Sequence, residues 1–376
     1  MVVDLATVEQ VLNKGKDMGA SDIHITVGIP PMVRVNGSLI PLDYPELSPE
    51  DTQRMVYSLM NDKQRAAYEE RGEIDFSFAL GSTGRFRVNA YKQKGACACA
   101  LRIVGMQIPK PEQLGLSEDV IELYKKKRGL ILVTGPTGSG KSTTLYTALS
   151  SLNSEEVNII TVEDPVEANI DGINQVQVNN KADMTFANAL RSILRQDPDI
   201  IMIGEIRDSE TAEIAVRASI TGHLVVSTLH TNSTANSISR LADMGVEPYL
   251  IADSLVGIIA QRLVRRLCEC KKPRLATAEE KEELAVDPSE DIVLYEPCGC
   301  KMCDNTGYKG RIGIYEIMTI TPKIKSMIAR GKSADEIKEQ AIEEGMSTLK
   351  ASAAKYVLDG TTSMSEMVKV TYEVEK

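Results

Sequence analysis

The apolar residues of the first hundred positions follow two periods. Segments that alternate apolar and polar residues predict strands with one buried face, and apolar residues at helical spacing predict helices between them. The predicted strands are Ile23–Val27, Met32–Val35, Ile74–Ala79, Arg85–Tyr91 and Cys97–Val104, and the predicted helices are Leu5–Met18 and Met55–Glu70. Asn36-Gly37 is typical of a hairpin turn. Residues 1–104 therefore predict an α+β domain, followed by a proline-marked linker over 105–115.

After residue 115 the pattern changes to short, wholly apolar runs separated by helical segments. Such runs are typical of parallel strands that are covered on both faces. They are Leu130–Val133, Ile159–Val162, Ile200–Ile203 and Leu224–Ser227, with helix candidates at Ser142–Leu152, 186–194 and Thr211–Thr221. We predict an α/β core over residues 116–265. A small cysteine-bearing helical region should follow over 266–376, where Ser333-x-x-Glu336 and Ser363-x-x-Glu366 are typical of helix starts.

The segment Gly135–Ser142 matches the phosphate-binding pattern Gly-x4-Gly-Lys-Ser/Thr between a predicted strand and a predicted helix. Glycines let backbone N–H groups surround phosphate oxygens, and the helix N-terminus adds its positive dipole. The expected nucleotide-binding residues are Gly135, Pro136, Thr137, Gly138, Ser139, Gly140, Lys141, Ser142 and Thr143. Lys141 would hold the β- and γ-phosphates and Ser142 would bind Mg²⁺. ATP and Mg²⁺ are the predicted cofactors of a P-loop core of the RecA type.

Acidic residues follow two other predicted strands. Glu163 comes directly after one apolar run, and Gly204-Glu205 comes after the next. Because ligands of parallel sheets bind beyond the carboxyl ends of the strands, both carboxylates should lie near the γ-phosphate. One would orient or deprotonate the attacking water and the other would support Mg²⁺, although such acids also cap helices. Gly204 stands where NTPases commonly have aspartate, which leaves Mg²⁺ mainly on Ser142 and water.

Composition argues against several classes of protein. The net charge of −10 is opposite to the basic surface of nucleic-acid-binding proteins, so we expect no nucleic acid partner. No apolar run reaches the roughly 18 residues that span a bilayer, and the N-terminus carries no secretory signal, so we expect a cytoplasmic protein without a transmembrane segment. Five of the seven cysteines lie between Cys268 and Cys303, which favours metal binding over disulfides.

Four segments resemble the signature boxes of the ATPases of type II secretion and type IV pili. In the order Walker A, Asp, Walker B and His box, they are Gly135–Ser142, Thr161–Glu167, Asp197–Asp208 and Thr221–Thr231. The resemblance runs from about Gly19 to the C-terminus. It implies that Glu205 and Glu163 have the catalytic roles and that His223 and His230 sense the state of the nucleotide.

The first domain, which is PAS-like in this resemblance, matches the family as well. Gly84–Ala90 and Leu101–Ile103 resemble strands that carry arginines to the nucleotide. This implies that Arg87 and Arg102, with Arg85 behind them, neutralise charge in the transition state. The alternative is a set of solvated arginines on an exposed strand. The family forms homohexamers, so these arginines would reach the site of a neighbouring subunit.

The segment from Cys300 to Cys303 resembles the second half of the zinc element of assembly ATPases, and a Cys-x2-Cys knuckle suits tetrahedral zinc. The family's first pair is also Cys-x2-Cys, whereas one residue separates Cys268 from Cys270 here. We expect Zn²⁺ on these four cysteines, with Cys298 as a substitute ligand. Free thiols are the alternative.

The resemblance implies a hexameric ATPase at the inner face of the cytoplasmic membrane. Its domain motion would drive an inner-membrane platform protein in the assembly of type IV pili or type II secretion pseudopili. Met60–Arg65 and Asp75–Phe78 resemble the retraction ATPases, but the cysteines and Thr362–Thr371 resemble the assembly ATPases, which we favour because retraction enzymes lack the knuckles. A DNA-transfer motor and a scaffold that binds nucleotide without hydrolysing it stay open.

Overall fold

The chain folds into two compact units. The computed structural model describes residues 7–35, 38–81, 84–104, 108–116 and 118–372. One unit comprises Met1–Gln107 and the other Ile108–Lys376, so that the division lies inside the predicted linker.

The N-terminal unit is built on an antiparallel sheet. Its described strands are β1 (Asp22–Ile25), β2 (Met32–Val35), β3 (Ser38–Pro41), β4 (Glu73–Leu80), β5 (Gly84–Gln93) and β6 (Ala96–Val104), in the order β3-β2-β1-β6-β5-β4. Its helices are α1 (Val8–Asp17), α2 (Pro49–Ser58) and α3 (Asp62–Arg71). They pack on one face of the sheet, where Ile23, Phe86 and Leu101 are fully buried. The predicted turn at Asn36-Gly37 lies outside the described residues.

The single helix predicted over Met55–Glu70 is wrong, because α2 and α3 take its place. Asn61 starts the second helix: its side chain accepts a hydrogen bond from the N–H of Gln64, and the Gln64 side chain accepts one from the N–H of Asn61. This reciprocal cap satisfies two backbone donors that a helix start otherwise leaves free. Local capping chemistry therefore interrupts the apolar spacing that predicted one helix.

The C-terminal unit is built on a mostly parallel sheet. Its described strands are β7 (Gly129–Thr134), β8 (Ile159–Glu163), β9 (Asn174–Gln177), β10 (Ile200–Ile203), β11 (Leu224–Leu229), β12 (Leu255–Leu267), β13 (Lys272–Leu275), β14 (Val293–Glu296) and β15 (Tyr308–Thr319). The main sheet has the order β15-β12-β7-β11-β10-β8-β9, in which only the edge strand β15 is antiparallel among the described residues, and β13 pairs with β14 separately. Every wholly apolar run is confirmed as a strand of this sheet.

Helices pack on both faces of the main sheet. The helices of this unit are α4 (Pro111–Leu114), α5 (Glu118–Tyr124), α6 (Lys141–Leu152), α7 (Phe186–Ile193), α8 (Ser209–Ile220), α9 (Thr234–Asp243), α10 (Pro248–Ser254), α11 (Ala278–Glu283), α12 (Pro322–Ala329), α13 (Ala334–Glu343), α14 (Leu349–Leu358) and α15 (Met364–Tyr372), of which α12 and α13 pack on other helices. Leu130 and Leu132 of β7 pack into one apolar core, and Ile131 and Val133 pack into the other. Such two-sided burial explains the continuous apolar runs. Among the described residues, no helix combines the length and apolarity needed to cross a bilayer.

The structure differs from the predicted division at residue 265. Strand β12 runs across that position, and β15 pairs along it, so residues 266–376 extend the core sheet as well as forming helices. The predicted cap at Ser333 is present with Glu336. Helix α15 begins directly after Ser363, as predicted, and the Ser363 hydroxyl accepts a hydrogen bond from the N–H of Glu366. The carboxylate of Glu366 accepts hydrogen bonds from the backbone and side chain of Arg265.

Candidate functional site

The loop after β7 has the backbone of a phosphate-binding loop. Gly135, Gly138 and Gly140 have φ angles of 152°, 83° and 88°, which favour glycine. A Cβ at Gly135 would lie 2.5 Å from the carbonyl oxygen of Gln261, and one at Gly140 would lie 2.9 Å from Nε2 of the same residue. Gly140 directly precedes α6, whose first N–H groups have no partner within the helix. These features suit the binding of phosphate groups.

Lys141 places a buried positive charge in this loop. Its ammonium group donates hydrogen bonds to the carbonyl oxygens of Gly135 (2.7 Å) and Pro136 (3.0 Å). Burial lowers the pKa of Lys141 to about 8, although the carboxylates of Glu205 and Glu167 act in the opposite direction. Of the other loop residues, Ser139 is buried and Ser142 is half-buried, whereas Pro136, Thr137, Gly138 and Thr143 are exposed. Ser142 lies in the first turn of α6, a position that suits a Mg²⁺ ligand.

Glu205 and His230 meet beside this loop. Glu205 follows β10 and His230 follows β11, and 3.5 Å separates the carboxylate Oε2 of Glu205 from Nε2 of His230. Burial and the charge of Lys141 lower the pKa of His230 more than Glu205 raises it, so the imidazole is neutral at pH 7. Glu205 also forms an ion pair with Arg207, a contact that the sequence did not suggest. The structure therefore brings Lys141, Glu205 and His230 together.

Glu163 lies at the end of β8, but its carboxylate is buried and fully engaged. It accepts hydrogen bonds from Thr161 (2.7 Å), from Gln175 (3.0 Å) and from the hydroxyl of Tyr146 on α6. Burial and the charge of Glu163 raise the pKa of Tyr146, which keeps that hydroxyl a donor. The hydrogen bond between Tyr146 and Glu163 thus connects α6 to β8. Its catalytic role stays a prediction.

The backbone explains why glycine occupies position 204. A Cβ there would lie 3.3 Å from the carbonyl oxygen of Val162 and 3.4 Å from Cα of Glu163. The first contact is tight for a Cβ, so an aspartate there would need β8 to shift by a few tenths of an ångström. Packing against β8 thus favours glycine at this position.

The structure does not bring His223 to the phosphate loop of the same chain. His223 precedes β11, and its carbonyl oxygen accepts a hydrogen bond from the N–H of Gly129 at the start of β7. His230 follows the other end of β11. At a rise of about 3.3 Å per residue, the strand separates the two histidines by roughly 20 Å. The two histidines therefore occupy opposite ends of one strand, and the sensor role of His223 stays a prediction.

The predicted arginines of the N-terminal unit share one exposed face. Arg87 and Arg102 are direct cross-strand partners on β5 and β6. Arg102 donates a hydrogen bond from Nε to Oδ1 of Asp22 at 3.0 Å, and its side chain is 71% exposed. Phe86 and Val88, which alternate with Arg87, are fully buried, so the arginines lie on the face away from the core. Their approach to a nucleotide stays a prediction.

Sequence reasoning missed the polar residues of β12 and the hydroxyl groups behind the loop. Gln261 and Arg262 are 2% and 3% exposed inside an otherwise apolar strand. Thr134, the last residue of β7, forms a side-chain hydrogen bond of 2.6 Å with Thr231, directly after His230. The sequence did carry a signal for these residues: a Gln-Arg pair within an apolar run. Because polar side chains buried in a strand have hydrogen-bond partners, such a pair indicates polar groups packed against that strand.

Four cysteines, two directly after β12 and two before β15, form a compact cluster. The Sγ atoms of Cys268, Cys270, Cys300 and Cys303 lie within 4.8 Å of one another, and the closest pairs are 3.7–3.8 Å apart. Four thiolates around tetrahedral zinc at about 2.3 Å have sulfur atoms ~3.8 Å apart. The short Cys-x-Cys spacing therefore allows the donor set that zinc requires. Cys298 is exposed and lies outside the cluster, so it is not the substitute ligand that we considered.

Backbone donors support a thiolate in this cluster. The N–H groups of Cys300 and Gly307 point at Sγ of Cys303, at 3.1 and 3.3 Å. Desolvation raises the pKa of Cys303, but these and neighbouring donors together lower it to about 6. Such N–H donors stabilise the charged form of a metal-binding sulfur. Desolvation raises the pKa of Cys270 in the same cluster to about 12, so the backbone donors favour a thiolate at Cys303 and not at Cys270.

The similarity to known proteins extends over nearly the whole chain. The profile of the type II/IV secretion system proteins matches residues 3–369. The chain belongs to this family. It is 43% identical to type II secretion system protein E of Pectobacterium carotovorum subsp. carotovorum, with 99% of this chain and 75% of that protein covered. It is 42% identical to the type IV pilus assembly ATPase PilB of Myxococcus xanthus, with 93% and 64% covered.

A solved structure has the same fold. The crystal structure of the pilus retraction motor PilT with bound ADP superposes with a TM-score of 0.79 at 35% identity, covering 97% of each chain. The chain spans between 53% and 75% of the length of the first curated relatives that it matches. The family match and the similarity to the solved structure together confirm the predicted mixed α/β fold with a P-loop core.

The pKa of Lys141 predicts a pH-dependent affinity for ATP. Phosphates at the loop would raise this pKa above its free value of about 8, so binding takes up a proton when Lys141 is neutral. Affinity should be constant below pH 8 and fall by up to about tenfold per pH unit above it. Titration with a fluorescent ATP analogue between pH 7 and 10 measures this. Lys141→Arg keeps its charge and should remove the pH dependence; an unchanged slope in that variant would contradict the assignment.

The geometry of the cysteine cluster predicts bound zinc. Purified protein should contain about one equivalent of Zn²⁺ per chain, since all four ligands of a tetrahedral site are present. Cys300→Ser and Cys303→Ser should each remove most of the metal and lower the unfolding temperature, as measured by metal analysis and calorimetry. Cys298→Ser is the matched control and should leave both values unchanged. Metal-free wild-type protein would refute the site.

Proposed function

We propose that this chain is the ATPase that powers assembly of type IV pili or of type II secretion pseudopili. It would work as a homohexamer at the cytoplasmic face of the inner membrane and act on a platform protein through motion of its N-terminal unit. The observation that supports this proposal best is the meeting of Lys141, Glu205 and His230 beside a phosphate-binding loop, in a member of this family.

The residues of the site have distinct tasks in hydrolysis. The N–H groups of the loop and of α6 bind the phosphates, and Lys141 exchanges its loop carbonyls for phosphate oxygens. When bound at Ser142, Mg²⁺ would neutralise phosphate charge. Glu205, only 14% exposed, orients the attacking water and accepts its proton, and the neutral imidazole of His230 lies close enough to align that carboxylate.

Two further elements complete the proposed motor. Arg87 and Arg102, exposed side by side, would neutralise charge on a nucleotide bound to a neighbouring subunit. Zinc held by the four cysteines would stiffen the region that includes β13 and β14. We propose no nucleic acid partner, in keeping with the acidic chain.

A second candidate is pilus retraction. The fold of the retraction motor PilT covers 97% of this chain and of that chain. Assembly is favoured because the four cysteines gather in a geometry that suits zinc, and because the chain is 42% identical to the assembly ATPase PilB of Myxococcus xanthus.

Glu205→Gln should separate binding from hydrolysis. The amide cannot accept the proton of water, so kcat should fall by about 10²- to 10⁴-fold while the Kd for ATP changes little. Steady-state assays and titration with an ATP analogue measure the two quantities. Glu210→Gln, at an exposed ion pair with Arg191, is the control and should retain activity. Normal turnover in Glu205→Gln would rule out this site assignment.

Deletion of the gene in its host distinguishes a role in assembly from a role in pilus retraction. We expect loss of surface pili or of secreted protein, restored by the wild-type gene and not by the Glu205→Gln gene, as scored by electron microscopy and secretion assays. Excess pili that no longer retract would instead establish the retraction role.

A further inference from the structure

Gln261 stands where the sheet meets the phosphate loop. Strand β12 pairs in parallel with β7, and Ala260 lies opposite Thr134, the last residue of β7. The next residue, Gln261, therefore lies beside the chain as it leaves the sheet. On its other side Gln261 pairs with Tyr315 of β15, which holds its backbone just beyond the last pair of β12 with β7.

The side-chain amide of Gln261 bonds to both ends of the segment that carries Lys141. Its Nε2 donates a hydrogen bond to the carbonyl oxygen of Ser139 at 2.8 Å, and its Oε1 accepts one from the hydroxyl of Thr144 at 2.8 Å. All three side chains are at least 96% buried. A neutral amide offers a donor and an acceptor together, so one side chain satisfies both partners.

The bond to Ser139 determines the orientation of a loop peptide. Among the described residues the only cis peptide bond is Asp164–Pro165, so the Ser139–Gly140 peptide is trans. In a trans peptide the C=O and the following N–H point in opposite directions. With the carbonyl of Ser139 held on Gln261, the N–H of Gly140 points away from β12. Because Gly140 has no Cβ to restrict its φ angle, the bond to Gln261 is a restraint on the orientation of this peptide.

We propose that Gln261 is a positioning residue for the phosphate loop, which orients the Ser139–Gly140 peptide for phosphate and thereby determines the affinity for ATP. Gln261 acts through the loop and not on the reacting atoms. The inference rests on the proposed nucleotide site. It extends that site to β12, a strand outside the four signature segments of the sequence.

Substitutions that keep the size of the side chain test the proposal in the full-length protein. Gln261→Met removes both bonds and should raise KM and Kd for ATP about tenfold or more, with kcat within threefold of wild type. Thr144→Val leaves the bond to Ser139 and should raise them less than threefold. Hydrolysis kinetics and titration with a fluorescent ATP analogue measure these values.

A second buried glutamine serves as the matched control. Gln340 is 8% exposed on α13, and its amide donates to Glu344 at 2.9 Å. Gln340→Leu should leave KM and Kd unchanged, whatever it does to the unfolding temperature. If Gln261→Met does not fold, Gln261→Glu keeps the acceptor for Thr144 but lacks the donor, and should show the same loss of affinity.

The outcomes separate this inference from the proposed function. A Gln261 variant that unfolds more easily but binds ATP with wild-type affinity would show a structural role alone and overturn the inference. Wild-type protein that neither binds nor hydrolyses ATP would overturn the proposed function and the inference with it. A tenfold loss of affinity in Gln261→Met with normal binding in Gln340→Leu supports both.

Discussion

The parallel pairing of β7, β8, β10 and β11 is the constraint on which the site depends. Parallel strands end at the same edge of the sheet, so the residues that follow them meet there without being close in sequence. This pairing places the phosphate loop, Glu163, Glu205 and His230 at one edge. It also sends His223 to the opposite edge, since that residue precedes its strand. The common direction of the strands thus explains why Glu163, Glu205 and His230 lie at the edge of the phosphate loop and why His223 does not.

Burying the charge of Lys141 in the phosphate loop requires hydrogen bonds that hold the loop against the surrounding strands. Lys141 lies among loop carbonyls, and its pKa of about 8 records the cost of removing a charge from water. The neighbouring groups are nearly all engaged with protein: Glu163 with Tyr146, Gln261 with Ser139 and Thr144, Thr134 with Thr231. Such a network holds the loop in one shape before any ligand binds, which reduces the entropy lost on binding.

Several of these features followed from the residues alone. The apolar runs of the core became strands because only residues buried on both faces tolerate such continuity, and the glycines of the loop took the positive φ angles that their pattern requires. The helix across residues 55–70 did not form as predicted, because the cap at Asn61 outweighed apolar spacing. The short spacing between Cys268 and Cys270 suggested Cys298 as a substitute ligand, but both residues reach the cluster with one residue between them.

The sequence by itself determined the nucleotide chemistry, since the phosphate loop and its strand–helix setting are local. Only the tertiary structure decided which distant groups serve it. Glu163 proved to be held in a buried network, Gln261 proved to face the loop, and the cysteines came together across about thirty residues. The physical reason is that these contacts join different strands and loops. Their partners depend on strand order and register, which no short segment contains.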